Sequence, residues 1–132
     1  MSQTSPPRDE PFPTRSERHE QRLRMLTDLT SADPARIRAL AHAFSHANDQ
    51  DLLQLHTLHA DQSWTGLSLL AHRIKGAAQM TGDIRLSMLC AELGRISSAP
   101  ARDAQALDAC VRRLESALGE FGESFRQIAQ GA

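Results

Sequence analysis

The sequence predicts an all-α protein: an up-down antiparallel four-helix bundle with one or two short extra helices at its N-terminus. The composition is rich in Ala and Leu and contains no Tyr, which favours helices over strands. From residue 15 onward, apolar residues recur every three or four positions, which is the helical period. Short polar connections separate the periodic segments, and they place consecutive helices side by side and antiparallel.

The first predicted helix covers residues 15–29, and its early turns are polar all round, so we expect only its later turns to pack. Asp33 and Pro34 then supply a cap and a first-turn proline for a helix that runs to about Ala47. Asn48 and Asp49 predict a break, after which another helix continues to about residue 60.

Trp64 opens a helix that we expect to end near Thr81, because Gly82 is a typical residue just after a helix. Asp83 can cap the next helix, which reaches about residue 97. The stretch 97–100 (SSAP) indicates a stop, and the last helix is predicted over 101–130.

Residues 1–14 contain four prolines and few periodic apolar residues, which predicts a disordered tail or linker before one helical domain over 15–132. The net charge of −1 and the lack of an apolar run near 20 residues predict neither nucleic acid nor membrane as a partner. Cys90 and Cys110 lie among apolar residues and are expected to be buried, reduced thiols. We expect a cytoplasmic monomer.

Helix 64–81 carries the most informative pattern. Its predicted core side is formed by Leu67, Leu70, Ala71, Ile74 and Ala78. His72 lies about 140° from Leu67 on a helical wheel and therefore points to solvent. Lys75, Gly76 and Gln79 follow His72 at i+3, i+4 and i+7, so they share its face.

These residue types suit nucleophilic phosphoryl chemistry. A solvent-facing imidazole is substantially neutral at cellular pH, and its free ring nitrogen can attack phosphorus. The Lys75 ammonium can offset the charge of a bound phosphoryl group, and Gln79 can hydrogen-bond to it or to the ring. Gly76 leaves room for a partner protein. We predict a docking rim beside His72, made of Leu69, Arg73, Gly76 and Met80. Alternatively, the N-terminal helices cover Leu69 and Met80.

The stretch from residue 61 to 93 resembles the signature of the histidine-containing phosphotransfer (HPt) family. The matching positions are Asp61, Trp64, Leu67, Ala71 to Ala78 (AHRIKGAA), Gly82, Leu86, Leu89, Cys90 and Leu93. Gly94 and Asp83 differ from the residues that are frequent at these positions in the family. Neither is expected on the His72 face, so these differences bear on the choice of partner more than on phosphotransfer.

The resemblance implies a four-helix bundle core with His72 as the phospho-acceptor on its surface. It implies receiver domains of response regulators or of hybrid sensor kinases as partners. Those receivers supply Mg²⁺, and the chain needs no cofactor of its own. No GxxxxGK or GxGxxG loop occurs, so we expect no autonomous kinase activity. A free-standing protein and the C-terminal domain of a hybrid kinase both remain open.

Two other interpretations of the sequence stay open. One is a helical interaction module without phosphotransfer. The other is a metal-binding bundle, because His42 and His46 are spaced i, i+4 and His56 and His59 are spaced i, i+3. A third ligand would have to come from Asp49, Asp51 or Asp61. We predict no metal site.

Overall fold

The computed structural model describes residues 13–131, and every regular element in that range is an α-helix. The helices are α1 (Arg15–Leu29), α2 (Pro34–Ala60), α3 (Trp64–Met80), α4 (Ile84–Ser98) and α5 (Ala104–Ala129). This confirms the predicted fold class. Residues 1–12 of the predicted tail lie outside the described range. None of the helices in that range combines the length and apolarity needed to cross a bilayer.

Each helix begins after a short polar side chain that accepts a hydrogen bond from the first turn. These N-caps are Thr14, Asp33, Ser63, Asp83 and Asp103. Such side chains satisfy backbone N–H groups that have no partner within the helix. The cap at Asp103 also corrects a predicted boundary, because α5 begins at Ala104 and not at residue 101.

Helices α2 to α5 form a closed ring in which each packs against the next and α5 returns to α2. Across the α2–α5 interface, Asp49 pairs with Arg126 and His59 pairs with Asp108, so helices α2 and α5 run antiparallel. This antiparallel order confirms the up-down bundle. Helix α1 is the single additional N-terminal helix of the described chain, and it packs against α5 and α2.

The core between the helices is apolar and is supplied most heavily by α5. Phe125 stacks on Phe44 and meets Phe121 edge-on, with 4.9 Å between ring centroids in both pairs. Cys90 and Cys110 are buried and free, as predicted. Burial raises the pKa of the Cys90 thiol to about 12, so this group is protonated and unreactive at neutral pH.

Helix α2 is continuous, and the predicted break at Asn48 and Asp49 is wrong. The Asn48 side chain is buried and donates a hydrogen bond of 2.9 Å to the carbonyl of Leu118 on α5. It therefore has a partner outside its own helix and does not compete for the local backbone. A Cβ at Gly122 would collide with the same Asn48 side chain, so this glycine permits the close approach of α2 and α5.

The polar first half of α1 also packs, contrary to the prediction that only its later turns would. The Arg18 side chain is only 12% exposed and lies 2.7 Å from Glu120 of α5. Arg22 is only 2% exposed, and its guanidinium lies 5.0 Å from the centre of the Phe121 ring. It forms ion pairs with Glu120 of α5 and, at 2.7 Å, with Asp83 in the α3–α4 turn. A buried charge is tolerated when it is paired in this way.

Asp83 thereby serves two helices. One carboxylate oxygen accepts the Leu86 N–H at the start of α4, and the other binds Arg22. Gly82, just before it, has φ +72°, a left-handed conformation that glycine adopts without strain. Helix α3 therefore ends where the sequence predicted, near Thr81. The ion pair between Arg22 and Asp83 holds the turn that follows against α1.

We predict that Arg22→Met lowers the free energy of unfolding by about 3 kcal/mol, because it leaves two carboxylates near each other with their buried counter-charge removed. Urea denaturation at pH 7 measures the change. Arg24→Met is the matched control on the exposed side of α1, and we expect it to change stability by less than about 0.5 kcal/mol. Equal effects of the two substitutions would contradict the assigned role of Arg22.

The difference in unfolding free energy between wild type and Arg22→Met should also depend on pH. Burial raises the pKa of Glu120, but hydrogen bonds and charge from Arg22 and Arg18 outweigh it and hold that pKa below its ordinary value of 4.5. The stability from this ionised carboxylate is present above pH 4.5 and is lost as the pH falls through the lowered pKa. The gap between wild type and Arg22→Met should therefore narrow below pH 4.5, and a gap that widens would contradict this account.

Candidate functional site

Helix α3 has one buried face and one open face. The residues on the buried face are Leu67, Leu70, Ala71, Ile74 and Ala78. These are the five residues that the helical wheel assigned to the core. His72 is exposed on the other side, as expected. The bundle therefore presents the imidazole to solvent from a helix that is held rigidly by its opposite face.

Lys75 lies one turn beyond His72 and is half-buried, whereas Gln79, two turns beyond, is exposed. Side chains three residues apart on a helix are neighbours, so the Lys75 ammonium can approach the His72 ring. This position suits a cation that offsets charge on a group attached to the imidazole.

Gly76 lies between these side chains, and a Cβ there would meet nothing within 4 Å. Packing inside the chain therefore does not require a glycine at this position. Glycine in a helix interior costs about 1 kcal/mol relative to alanine. Open space at Gly76 favours a role outside the chain, namely the close approach of another molecule to His72.

Leu69 and Met80 are 68% and 61% exposed, so the N-terminal helix does not cover them and that alternative is wrong. Arg73, the fourth member of the predicted rim, extends onto α2. Its Nη1 lies 2.7 Å from Asp51 Oδ1, and its Nη2 donates a hydrogen bond of 2.7 Å to Gln54 Oε1. The rim is therefore wider than α3 and includes the adjoining surface of α2.

Asp51 was not singled out as a partner of Arg73 by sequence reasoning, because the two lie on different helices. Burial raises the pKa of the Asp51 carboxyl, and the hydrogen bond and charge of Arg73 offset part of that rise. The pair fixes the guanidinium on α2 while leaving more than half of the Arg73 side chain exposed. Arg73 therefore remains available to a partner.

The histidines outside α3 have other partners. His56 and His59 of α2 each lie 2.7 Å from a carboxylate of α5, those of Glu115 and Asp108. The His42 and His46 rings stack with their centroids 6.5 Å apart. Within residues 13–131, no group of three or more His, Cys, Asp or Glu side chains is arranged to hold a metal ion. The metal-bundle alternative gains no support from this geometry.

We predict that Gly76→Ala raises the free energy of unfolding by about 0.5–1 kcal/mol, because alanine is the better helix former and its Cβ enters open space. Gly66→Ala is the matched control on the same helix. A Cβ at Gly66 would lie 2.6 Å from Leu58 Cδ2 and from Ser63 Oγ, so this variant should be destabilised. Thermal unfolding of both variants checks the pair, and a destabilised Gly76→Ala would show that the site is packed.

The chain matches the family model described as Hpt domain over residues 39–130, which covers the four bundle helices from the second turn of α2 onward and leaves α1 outside. No curated protein and no solved structure matched the chain significantly. The matched range includes the whole of α3, with His72 exposed on a four-helix bundle. The chain therefore belongs to the Hpt domain family, the histidine phosphotransfer modules of phosphorelays.

Proposed function

We propose that His72 accepts a phosphoryl group from an aspartyl phosphate of one receiver domain and passes it to an aspartate of another. The observation that carries this proposal is the exposed imidazole, with Lys75 one turn away and open space at Gly76. The Hpt match supports a phosphotransfer role of this kind. This role requires receiver domains as partners, and we infer that the transfer takes place in the cytoplasm.

The transfer exchanges one bond for another at phosphorus. The unprotonated ring nitrogen of His72 attacks, an N–P bond forms, and the bond from phosphorus to the aspartyl oxygen breaks. The aspartate leaves as a carboxylate, and the other ring nitrogen keeps its proton. The second transfer reverses these steps with a different carboxylate. Lys75 offsets negative charge on the phosphoryl oxygens, and Gln79 can donate to one of them.

The rest of the machinery belongs to the partner in this proposal. The receiver supplies Mg²⁺, and the chain contributes a positioned nucleophile and a cation. Its sequence has no glycine-rich nucleotide loop, so we infer that it receives phosphoryl groups from proteins and not from ATP. The exposed leucine and methionine at positions 69 and 80, together with Arg73 and Gly76, form the docking rim.

The decisive test mixes the protein with a panel of receiver domains that have been phosphorylated with labelled acetyl phosphate. We expect the wild type to take up acid-labile label and His72→Gln to take up none, because glutamine has no nucleophilic ring nitrogen. His46→Gln is the control, since His46 is an exposed histidine of α2. Equal labelling of His72→Gln, or a wild type that accepts label from no receiver, rejects the proposal in favour of a pure interaction module.

We further predict that Lys75→Ala slows phosphoryl transfer by about tenfold, the equivalent of losing roughly 1.4 kcal/mol of transition-state stabilisation. The bundle should remain folded, because Lys75 is outside the core. Rapid-quench measurement of label transfer from a receiver gives the rate. Arg38→Ala removes one exposed positive charge from α2 and serves as the control. Equal rates for Lys75→Ala and Arg38→Ala would exclude a specific role for the ammonium.

A further inference from the structure

Helix α4 has an outward face that lies opposite its buried residues Leu86, Cys90 and Leu93. We define the α4 outer face by Ile84, Arg85, Met88, Glu92 and Arg95, together with Arg113 of α5. Residues 85, 88, 92 and 95 follow one another at intervals of three and four, so they lie along one stripe of the helix. Ile84 and Met88 are 56% and 55% exposed. Isolated exposed apolar residues are ordinary, but two large ones within a turn form a patch.

Two cavities flank this patch, and Met88 lines both. One has a volume of about 250 Å³ and lies between α3 and α4, where Ala78 and Gln79 of α3 line it together with Ile84. The other has a volume of about 280 Å³ and runs between α4 and α5, over Leu89 and beside three arginines. Each cavity is large enough for an apolar side chain of a second molecule. Methionine adapts its shape to such a neighbour readily, because its side chain is unbranched and flexible.

The charge on this face is positive. Arg113 is neutralised by Glu92, whose Oε1 lies 2.5 Å from its Nη2. Arg85 and Arg95 form no ion pair with any carboxylate in residues 13–131 and line the same cavity. Ten residues separate them, which is about 15 Å along the helix. Two free guanidiniums therefore bracket an apolar strip about three turns long.

We propose that the α4 outer face binds an acidic amphipathic helix of a partner protein. The partner would place an apolar side chain in the cavities beside Met88 and carboxylates opposite Arg85 and Arg95. This is the helix-in-groove mode, in which apolar anchors give affinity and flanking charges give register. The surface differs from the α3 rim, and the proposal does not depend on phosphotransfer by His72.

The geometry favours a helix over other anionic ligands. A free phosphate or a nucleic acid backbone would use the arginines and leave Ile84 and Met88 unpaired. A bilayer surface would require a wider apolar face than Ile84 and Met88 provide. A protein helix with apolar residues between its acids matches both the charges and the cavities.

The test titrates the full chain with a synthetic amphipathic helical peptide about four turns long, with leucines on one face and glutamates on its flanks. Backbone amide NMR shifts report the contact surface. We expect shifts on α4, on the facing turn of α5 and at Ala78 and Gln79 of α3. We also expect at least tenfold weaker binding after Arg85→Glu with Arg95→Glu. Met88→Ser should also weaken binding severalfold. His72→Gln should bind like the wild type, which separates this surface from the phosphotransfer site.

Two controls match the charge and the apolar change. Arg36→Glu with Arg38→Glu makes the same net charge change on α2, and Leu53→Ser removes a 69% exposed leucine from that helix. Neither should alter peptide binding. The proposal fails if the peptide does not bind, if its shifts map to the docking rim beside His72 and not to α4, or if a peptide with glutamines in place of the glutamates binds equally well. It also fails if sedimentation shows a dimer that Met88→Ser abolishes, because the face would then bind a second copy of the chain. Likewise, it fails if phosphatidylglycerol vesicles change the amide shifts of α4 and the peptide does not.

Discussion

The buried guanidinium of Arg22 is the interaction on which the arrangement of this bundle depends. It joins three separate parts of the chain, because its two carboxylate partners are in the α3–α4 turn and on α5. Burying a charge is costly, and only this full set of partners offsets the cost. The Phe121 ring beneath it adds a cation–π contact. An apolar residue at position 22 could hold α1 on the bundle, but it could not specify this one position of α1.

The consequence reaches the functional helix. The turn that ends α3 contains Gly82 in a left-handed conformation and Asp83, which both caps α4 and accepts Arg22. Helix α1 thus fixes the C-terminal end of α3 from the end of the bundle and leaves the length of that helix uncovered. His72 stays exposed because α1 packs against α5 and α2 and not along α3. An additional helix laid along α3 would have covered Leu69 and Met80 instead.

The sequence predicted what depends on local chemistry and periodicity. The buried stripe of α3, the outward direction of His72 and the caps at Asp33 and Asp83 follow from spacing and from the hydrogen-bonding capacity of single residues. The family resemblance added the role of His72, which helical geometry alone does not supply. Contacts between side chains distant in sequence were beyond such reasoning. The sequence predicted a helix break at Asn48 because asparagine often bonds to the local backbone. Its actual acceptor, the Leu118 carbonyl, lies on another helix and could not be identified from the sequence.

The same limit explains Arg22 and Arg73. The sequence predicted only that the early turns of α1 are polar and that Arg73 belongs to a rim beside His72. In the structure, Arg22 is buried against two carboxylates, and Arg73 extends onto α2 to pair with Asp51. No periodicity signals such pairs, because the period describes one helix and the partner lies on another. A polar stretch in a helix next to an amphipathic bundle can therefore be an interface.

Glycines distinguish the faces that are packed within the fold from those that it leaves open. At Gly122 and Gly66, neighbouring side chains occupy the space that a Cβ would need, so packing requires glycine there. At Gly76 the space is empty, and the helix bears the cost of a glycine without any return from its own core. The face of α3 that stabilises the bundle is therefore opposite to the face that carries the proposed phosphotransfer site. Substitutions on the His72 face can be made while the bundle, which is fixed by the other face and by Arg22, remains intact.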